Sequence, residues 1–356
     1  MSLKIDHVSK KLGVFSLKDV SLEVAEGEYF VLLGPTGAGK TVLLEVIMGF
    51  HPPDKGKILL NNHDITNVQV DKREIAYVPQ NCPLFPHMNV FENVEFGLKM
   101  QRVAPTERNK AVKRMLETIS LEEMAEAMPS TLSGGERQKV VLGRVLVTEP
   151  KVVLLDEPLT SIDAETSRSL RNELKRINRE FKVAFLHVTH DQIEAFSLAD
   201  KVAIMREGKI VQAGAPNEVL SNPIDEPVAR FLGYENVLHV RLMKYKGGIS
   251  KVSADGIPIK LKGKLESNTA TIAIRPENFV ITTEAPTVSD EWNSFEGKVR
   301  EYTNLGPVVE VVIDAGLMLN VSIDKRSFLE LNLIEGKHVY ATFKADSVRI
   351  VSLRQA

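Results

Sequence analysis

The residues best equipped for chemistry in this 356-residue chain are Gly34, Pro35, Thr36, Gly37, Ala38, Gly39, Lys40 and Thr41, which satisfy the pattern G-x-x-x-x-G-K-[ST]. Glycines let successive backbone N–H groups curl around phosphate oxygens. Lys40 places a cation against the β- and γ-phosphates of a nucleotide, and Thr41 offers an oxygen to Mg²⁺. A second stretch, VVLLDE at residues 152–157, ends an apolar run in two adjacent carboxylates. There Asp156 would hold Mg²⁺ through water, and Glu157 would polarise an attacking water as general base. A third, LSGGERQK at residues 132–139, sets the Ser133 hydroxyl and the bare N–H groups of Gly134 and Gly135 at the start of a helical pattern. That makes a second anion site. One cradle and a separate reader of the γ-phosphate need a second copy of the chain if the two cannot meet within one subunit.

Such groups must be delivered by defined elements. Up to about residue 230, β runs alternate with long helical patterns: YFVLL then TVLLEVIMGF, KVVLLD then AETSRSLRNELKRINREF, and then VAFLHVTH and VAIMREGKIV. That order predicts an α/β sheet covered on both faces, over residues 1–232. The run ERNKAVKRMLETISLEEMAEAM has no Gly or Pro and predicts a helical subdomain at about 82–150. After FLGYENVL the texture changes to short β-branched runs punctuated by glycine, which predict an all-β barrel over 233–356. A faint repeat, ENVLHVRL with WNSFEGKV and IRPENFVI with FKADSVRI, suggests two β modules at 235–285 and 290–353, or one double barrel.

Composition narrows the function class. A net charge of −2 gives no basic footprint for nucleic acid. No stretch approaches the ~20 apolar residues of a membrane span, and MSLKIDHVSKK lacks the apolar centre of a signal peptide, so the expected place is the cytoplasm. The single cysteine, Cys82, fits a reducing compartment and reads as a small apolar filler.

In combination GPTGAGKT, VVLLDE and LSGGERQK resemble the ATP-binding cassette (ABC) family over residues 1 to about 230. The resemblance implies an ATPase using ATP and Mg²⁺ and acting as a homodimer. It gives Gln80, in YVPQN, to Mg²⁺ and the attacking water, and to coupling with membrane subunits. Asp163, in LTSID, falls in the loop that crosses the dimer interface, and His190, in VTHD, becomes the switch that senses the γ-phosphate. His187, two residues earlier, reads as structural. Phe15 is the candidate for stacking on adenine, with an apolar core role equally open. Gly143 stands where the family usually has alanine and should weaken its helix by about 1 kcal/mol.

One cassette followed by a β-barrel tail, with no long heptad arm, resembles importer ATPases. An extracytoplasmic solute-binding protein would then be an indirect partner and the chain would sit on the cytoplasmic face of the cell membrane. Residues 80–97 resemble the segment that receives the permease, with Leu84, Phe85 and Met88 suited to line a groove or to join the core. GPTGAGKT, FPHMNV, ARFLGYENVL and FKADSV resemble the molybdate/tungstate branch with its regulatory C-terminal domain. Sulfate is the nearest competitor, sugar or polyamine importers stand further off, and a soluble cassette ATPase without a permease is the other class.

For the tail the resemblance implies an oxyanion corner made by Lys344 and Ser347, with Asn293 and Ser294 on a second strand and a tight turn at Leu305 and Gly306. Three residues depart from the family pattern. Asp346 would repel a dianion, Trp292 replaces a frequent arginine, and Pro307 removes an N–H from the turn. Strand alternation would put Lys344 and Asp346 on one face, where a surface ion pair is the alternative reading.

Overall fold

The computed structural model describes residues 2–160, 163–287, 289 and 291–354. Among them, the apolar runs read from the sequence become strands in which every residue is buried: β3 (Tyr29–Leu33), β7 (Val152–Asp156) and β8 (Ala184–Thr189). Burial on both faces is what a parallel sheet between helical layers imposes. These strands follow an antiparallel layer whose first members are β1 (Ser2–Leu12) and β2 (Phe15–Ala25). Helix α1 (Lys40–Met48) leaves β3 and is followed by β4 (Lys55–Leu60) and β5 (His63–Asp64), which extend that layer in the order β2-β1-β4-β5.

The larger sheet runs β10-β9-β3-β8-β7-β6, with β6 (Ile75–Val78), β9 (Lys201–Arg206) and β10 (Lys209–Gly214). From β9 to β6 the neighbours are parallel, and only β10 is antiparallel. Between β6 and β7 the chain inserts α2 (Val90–Met100), α3 (Pro105–Thr118) and α4 (Gly134–Leu146). A Cβ on Gly143 of α4 would meet Ile119 Cδ1 at 2.9 Å and Met115 Cγ at 3.4 Å. The glycine costs helix propensity but sits where α3 and the chain after it approach closely. Helices α5 (Ala164–Phe181) and α6 (Gln192–Leu198) follow β7 and β8.

The chain divides into two compact units, Met1–Val219 and Leu220–Ala356. The break lies inside α7 (Pro216–Ser221), not at the expected residue 232. The physical reason is that the following segment bonds to the tail. The Tyr234 hydroxyl donates to the Leu220 carbonyl at 3.1 Å, Arg275 donates to the same carbonyl at 3.2 Å, and its guanidinium lies 4.4 Å from the Tyr234 ring centre. Helix α8 (Glu226–Phe231) also packs on tail strands.

Those strands are β11 (Asn236–Lys246), β12 (Ile249–Ala254), β13 (Ile257–Lys262), β14 (Thr269–Ile274), β15 (Val280–Thr282), β16 (Trp292–Asn304), β17 (Val308–Asp314), β18 (Met318–Asp324), β19 (His338–Lys344) and β20 (Arg349–Arg354), with α9 (Lys325–Glu330) after β18. They form two sheets, β13-β12-β11-β14-β20 and β18-β17-β16-β19-β15. The second order repeats the first, with the final strand of each half exchanged into the other half's sheet. Both exchanged strands follow a 3₁₀ turn, Pro276–Asn278 and Ala345–Ser347. The repeat extends to side chains. Asn236 accepts from Asn320 N (2.7 Å) and donates to Asn320 O (2.8 Å), while Asn293 accepts from Lys260 N (2.7 Å) and donates to Lys260 O (2.9 Å). Each amide ties its half to the other, and one apolar core, including Phe279, Phe295 and Phe343, serves both.

Candidate active site

In open α/β sheets ligands gather beyond the C-terminal ends of the strands. Four adjacent strands end here in candidate residues: β3 in the Gly34 loop, β8 in His190, β7 in Asp156 and Glu157, and β6 shortly before Gln80. The loop turns through Gly37 (φ 82°) and Gly39 (φ 102°), backbone that favours glycine. The Phe15 ring lies so close to Gly39 that a Cβ there would meet Phe15 Cζ at 2.2 Å. Phe15 thus borders the loop while remaining part-buried against the core.

Lys40 is buried (6% exposed) and donates to the carbonyls of Gly34 (2.7 Å) and Pro35 (3.1 Å). Burial lowers its pKa, and Glu157 and Asp156 oppose that. The Thr41 hydroxyl donates to Asp156 Oδ1 at 3.1 Å, and the Tyr77 hydroxyl donates to Asp156 Oδ2 at 3.2 Å. Burial raises the Asp156 pKa despite these two bonds, and the neighbouring Glu157 adds to the rise. Tyr77 is raised in turn, first by burial and then by Asp156.

Glu157 carries the most constrained geometry. Its φ of 46° is left-handed, a conformation costing a non-glycine residue about 1–3 kcal/mol and found at sites where geometry is over-determined. Its N–H donates to Val188 O at 2.9 Å. Its two oxygens are divided: Oε1 lies 3.1 Å from His190 Nδ1, while Oε2 accepts from Gln80 Nε2 and Thr160 Oγ1, each at 3.1 Å. The three residues named as catalytic therefore meet at one carboxylate.

Behind His190 stands a buried chain. Tyr29 OH lies 3.0 Å from His187 Nδ1, and His187 Nε2 lies 3.2 Å from Glu194 Oε2. Burial pushes the Glu194 carboxyl up, but His187 and the Thr189 hydroxyl outweigh it and leave the pKa below its ordinary value. His187 thus lies fully buried between the Tyr29 hydroxyl and the Glu194 carboxylate, the structural place expected of it.

The signature residues stand apart from this cluster. Ser133 caps α4: its Oγ accepts from Glu136 N (3.3 Å), and Glu136 Oε2 accepts from Ser133 N (2.7 Å) and Oγ (2.7 Å). This is a reciprocal capping box. Gly134 is exposed and Gly135 buried in the first turn, where N–H groups have no intrahelical acceptor. Asp163 caps α5 by accepting from Thr166 N at 2.9 Å; Ser161 and Ile162 of the same LTSID stretch lie outside the described residues.

In the segment expected to meet a permease, Leu84 is buried, while Phe85 and Met88 are half-buried. Asn93, fully buried, clamps that loop by accepting from Phe85 N (2.8 Å) and donating to Phe85 O (3.2 Å) and Met88 O (2.9 Å). Arg144 donates to Cys82 Sγ (2.7 Å) and Pro83 O (3.1 Å) and stacks 5.0 Å over Phe85. Cys82 is therefore a hydrogen-bond acceptor and more than the filler the sequence suggests. Thr160, Tyr77, Asn93 and Glu194 carry no motif in the sequence, whereas the Ser133–Glu136 box is legible as S-x-x-E.

The tail residues are distributed differently. Trp292 is opposite Lys344 and Ser294 opposite Thr342, so Ser294 shares the face of Lys344. Asn293 lies on the other face, 3% exposed, with its amide spent on Lys260. Ser347 donates to Lys344 O at 2.6 Å. Leu305, Gly306 and Pro307 follow the far end of the 13-residue β16, about 40 Å along the strand from Trp292. The alternation argument for Lys344 and Asp346 fails because the strand ends at Lys344 and a 3₁₀ turn begins. Among the described residues no ion pair joins them, and the Lys344 ammonium lies 5.5 Å over the Trp292 ring.

The family profile of ABC transporters matches residues 17–160, and that of the TOBE domain residues 290–350. The molybdate/tungstate import ATP-binding protein of Pyrococcus abyssi is 41% identical over 98% of this chain and 99% of its own. Spermidine/putrescine and sulfate/thiosulfate import ATP-binding proteins, from Thermotoga maritima and Bacillus cereus, are each 37% identical over 98% or more of both chains. The solved ADP conformation of an ATP-binding cassette of an ABC transporter superposes with a TM-score of 0.57 at 27% identity, covering 65% of this chain and 98% of that one. With both family profiles in place and a shared length that spans cassette and tail alike, the chain belongs to the ATP-binding subunits of ABC transporters, and it is an ATPase.

Proposed function

We propose that this ATPase energises import of molybdate or tungstate, as a pair of copies attached to a permease at the cytoplasmic face of the membrane. The observation that carries the substrate is the 41% identity, over nearly the whole length, to proteins named for molybdate/tungstate import. Relatives named for polyamine and sulfate import support the importer class as a whole.

In this reading the 34–41 loop wraps the phosphates, and Lys40 exchanges its two carbonyl acceptors for phosphate oxygens. Phe15, bordering the loop, stacks on adenine. Thr41, Asp156 and Gln80 form an all-oxygen donor set suited to Mg²⁺, and the under-compensated carboxylate of Asp156 fits a hard cation. Mg²⁺, when bound, supplies charge neutralisation at the β- and γ-oxygens. Glu157 takes the proton of the attacking water; Gln80 and Thr160 hold one of its oxygens and His190 the other, so the base is oriented before the nucleotide arrives. Ser133, Gly134 and Gly135 read the γ-phosphate on a second copy, whose closure Asp163 would help to seal. Phe85 and Met88, held by Asn93, face the permease. On the far side of the membrane a solute-binding protein delivers the anion. Lys344, Ser294 and Ser347 remain as tail groups for a feedback oxyanion, while the Asn293 amide is already committed.

The test is ATP hydrolysis by the complex with its permease in liposomes. Binding protein loaded with molybdate or tungstate should stimulate it, and cytosolic-side molybdate should slow it. Stimulation by sulfate or spermidine alone would transfer the substrate to those relatives. Failure to co-purify with any integral membrane subunit would replace the importer with a soluble ATPase.

A further inference from the structure

The repeat within the tail permits an internal control on its surface chemistry. On the outward face of the first half, register places three cross-strand rows: Arg241–Ser253–Pro258, Lys244–Lys251–Lys260 and Lys246–Ile249–Lys262. The corresponding rows of the second half read Lys298–Asp314–Met318, Glu301–Val312–Asn320 and Thr303–Glu310–Ser322. The correspondence is fixed by a shared bulge, between Leu242 and Lys244 in one half and Val299 and Glu301 in the other, and by the Asn293–Lys260 and Asn236–Asn320 links. One face thus carries six cations and no carboxylate, and its counterpart one cation and three carboxylates.

Like charges directly opposite on neighbouring strands destabilise a sheet, and the second half shows that the scaffold folds without them. Lys244, Lys246, Lys251 and Lys262 form no ion pair among the described residues, whereas Lys260 is engaged, donating to Ser289 O at 3.3 Å and holding a further partner. Four of the lysines, Lys244, Lys246, Lys251 and Lys260, line a concave groove of about 410 Å³ beside the Gly247–Gly248 hairpin. An adjoining cavity of about 220 Å³ adds Lys262 and Lys344, with Glu291 and Asp346 at its wall. In a chain of net charge −2, this concentration of cations is local and built.

We propose that the Lys244–Lys251 pair and its flanking Lys246 and Lys262 bind a ligand bearing a chain of adjacent phosphoryl groups, distinct from both ATP at the 34–41 loop and the transported anion. Charge decides the class: Lys244, Lys246, Lys251 and Lys262 put four cations on one outward face, more than a single divalent oxyanion neutralises and matched by several linked phosphoryl groups. Lysine suits such a ligand as a mobile point charge, without the planar fork that selects a single carboxylate or phosphate.

The probe is inorganic tripolyphosphate, titrated calorimetrically into full-length protein saturated with ADP so that the nucleotide loop is filled. One binding event is expected, with affinity falling as salt rises. Orthophosphate, sulfate and molybdate should bind about tenfold more weakly or less. Lys251→Gln should reduce the salt slope by about 1, and Lys244→Glu with Lys251→Glu should abolish the event. Val312→Glu, the equivalent change in the second half, should leave it intact. As a separate readout, Lys251→Gln should raise the Tm of the protein without tripolyphosphate and diminish the rise that tripolyphosphate confers. GTP should compete if the phosphoryl chain is what is read; binding of GTP but not of tripolyphosphate overturns the assignment. So does no binding, equal binding by the double variant, a single oxyanion bound as tightly, or an oligonucleotide that outcompetes tripolyphosphate.

Discussion

The candidate residues of the nucleotide loop cluster lie much further apart along the chain than those of the tail corner, yet only the first set converges. In the cassette the candidates leave the C-terminal ends of neighbouring parallel strands, so the sheet brings them together whatever their separation in sequence. In the tail they lie along one antiparallel pair, where neighbours alternate faces. Asn293 consequently points to the interior while Lys344 lies outside on Trp292. Motifs at strand ends gather; motifs along a strand are sorted.

The largest effect should come from the residue at which the cassette candidates meet. Glu157→Gln keeps the shape and the hydrogen bonds but removes the proton acceptor, so ATP hydrolysis should fall by about 10²–10⁴-fold while ATP binding persists. Steady-state hydrolysis and nucleotide titration on the same preparation test this. A variant retaining most of its activity would show that another group takes the proton, and the convergence at Glu157 would then be structural.

Asp156→Asn should separate function from stability. In its water-mediated role Asp156 supports Mg²⁺ binding, and its loss should weaken metal affinity by about 10–100-fold. Stability should move the other way. Burial, foremost, holds the folded pKa of Asp156 above the ordinary 3.8. The unfolded chain therefore releases this proton at lower pH than the folded chain does. Between the ordinary and the raised value the folded state binds more protons, so stability is lost as pH rises through that window and the full cost persists above it. The Tm of nucleotide-free Asp156→Asn should exceed that of the parent at pH 7, with the gain shrinking toward pH 4. An unchanged Tm at both pH values would mean that Tyr77 and Thr41 already compensate the charge.

These two residues were legible in sequence because strand-end motifs carry their own context: an apolar run, then the carboxylates. Of the residues that hold them, Gln80 and His190 were legible as well, but two were not. Thr160 and Tyr77 are common types at unremarkable positions, and only folding shows that their hydroxyls face Glu157 and Asp156. In the tail, the repeat of ENVLHVRL in WNSFEGKV was visible, but the exchange of β15 and β20 depends on long-range pairing that no local pattern encodes. The misjudged Lys344–Asp346 pair has a simpler cause, since a period-two argument holds only while the strand continues.

Asn293 sharpens the comparison from the tail's side. As an oxyanion ligand it could be lost with little change in stability. As the bridge seen here, Asn293→Ala strands the buried N–H and carbonyl of Lys260 and should cost about 1–3 kcal/mol in equilibrium unfolding. Asn236→Ala, its counterpart across the repeat, should cost a similar amount through Asn320. Loss of anion inhibition in Asn293→Ala with stability unchanged would reverse the assignment and restore the expected corner.

The smallest effect is expected at Lys344, and its smallness is informative. Its ammonium rests over Trp292 at the surface, an arrangement worth about 0.5–1 kcal/mol when exposed, and it makes no ion pair with Asp346 among the described residues. Lys344→Ala should therefore lower stability by no more than that amount, well below Asn293→Ala. If a feedback oxyanion binds the tail through Lys344, the same variant should release ATPase inhibition by cytosolic-side molybdate while leaving uninhibited turnover intact. The two tail residues then fall on opposite sides of one line: Asn293 moves stability without a direct contact to the anion, and Lys344 moves anion response with little change in stability. A Lys344→Ala variant that unfolds as readily as Asn293→Ala, or that responds to molybdate like the parent, would show that the Trp292 corner is architecture throughout.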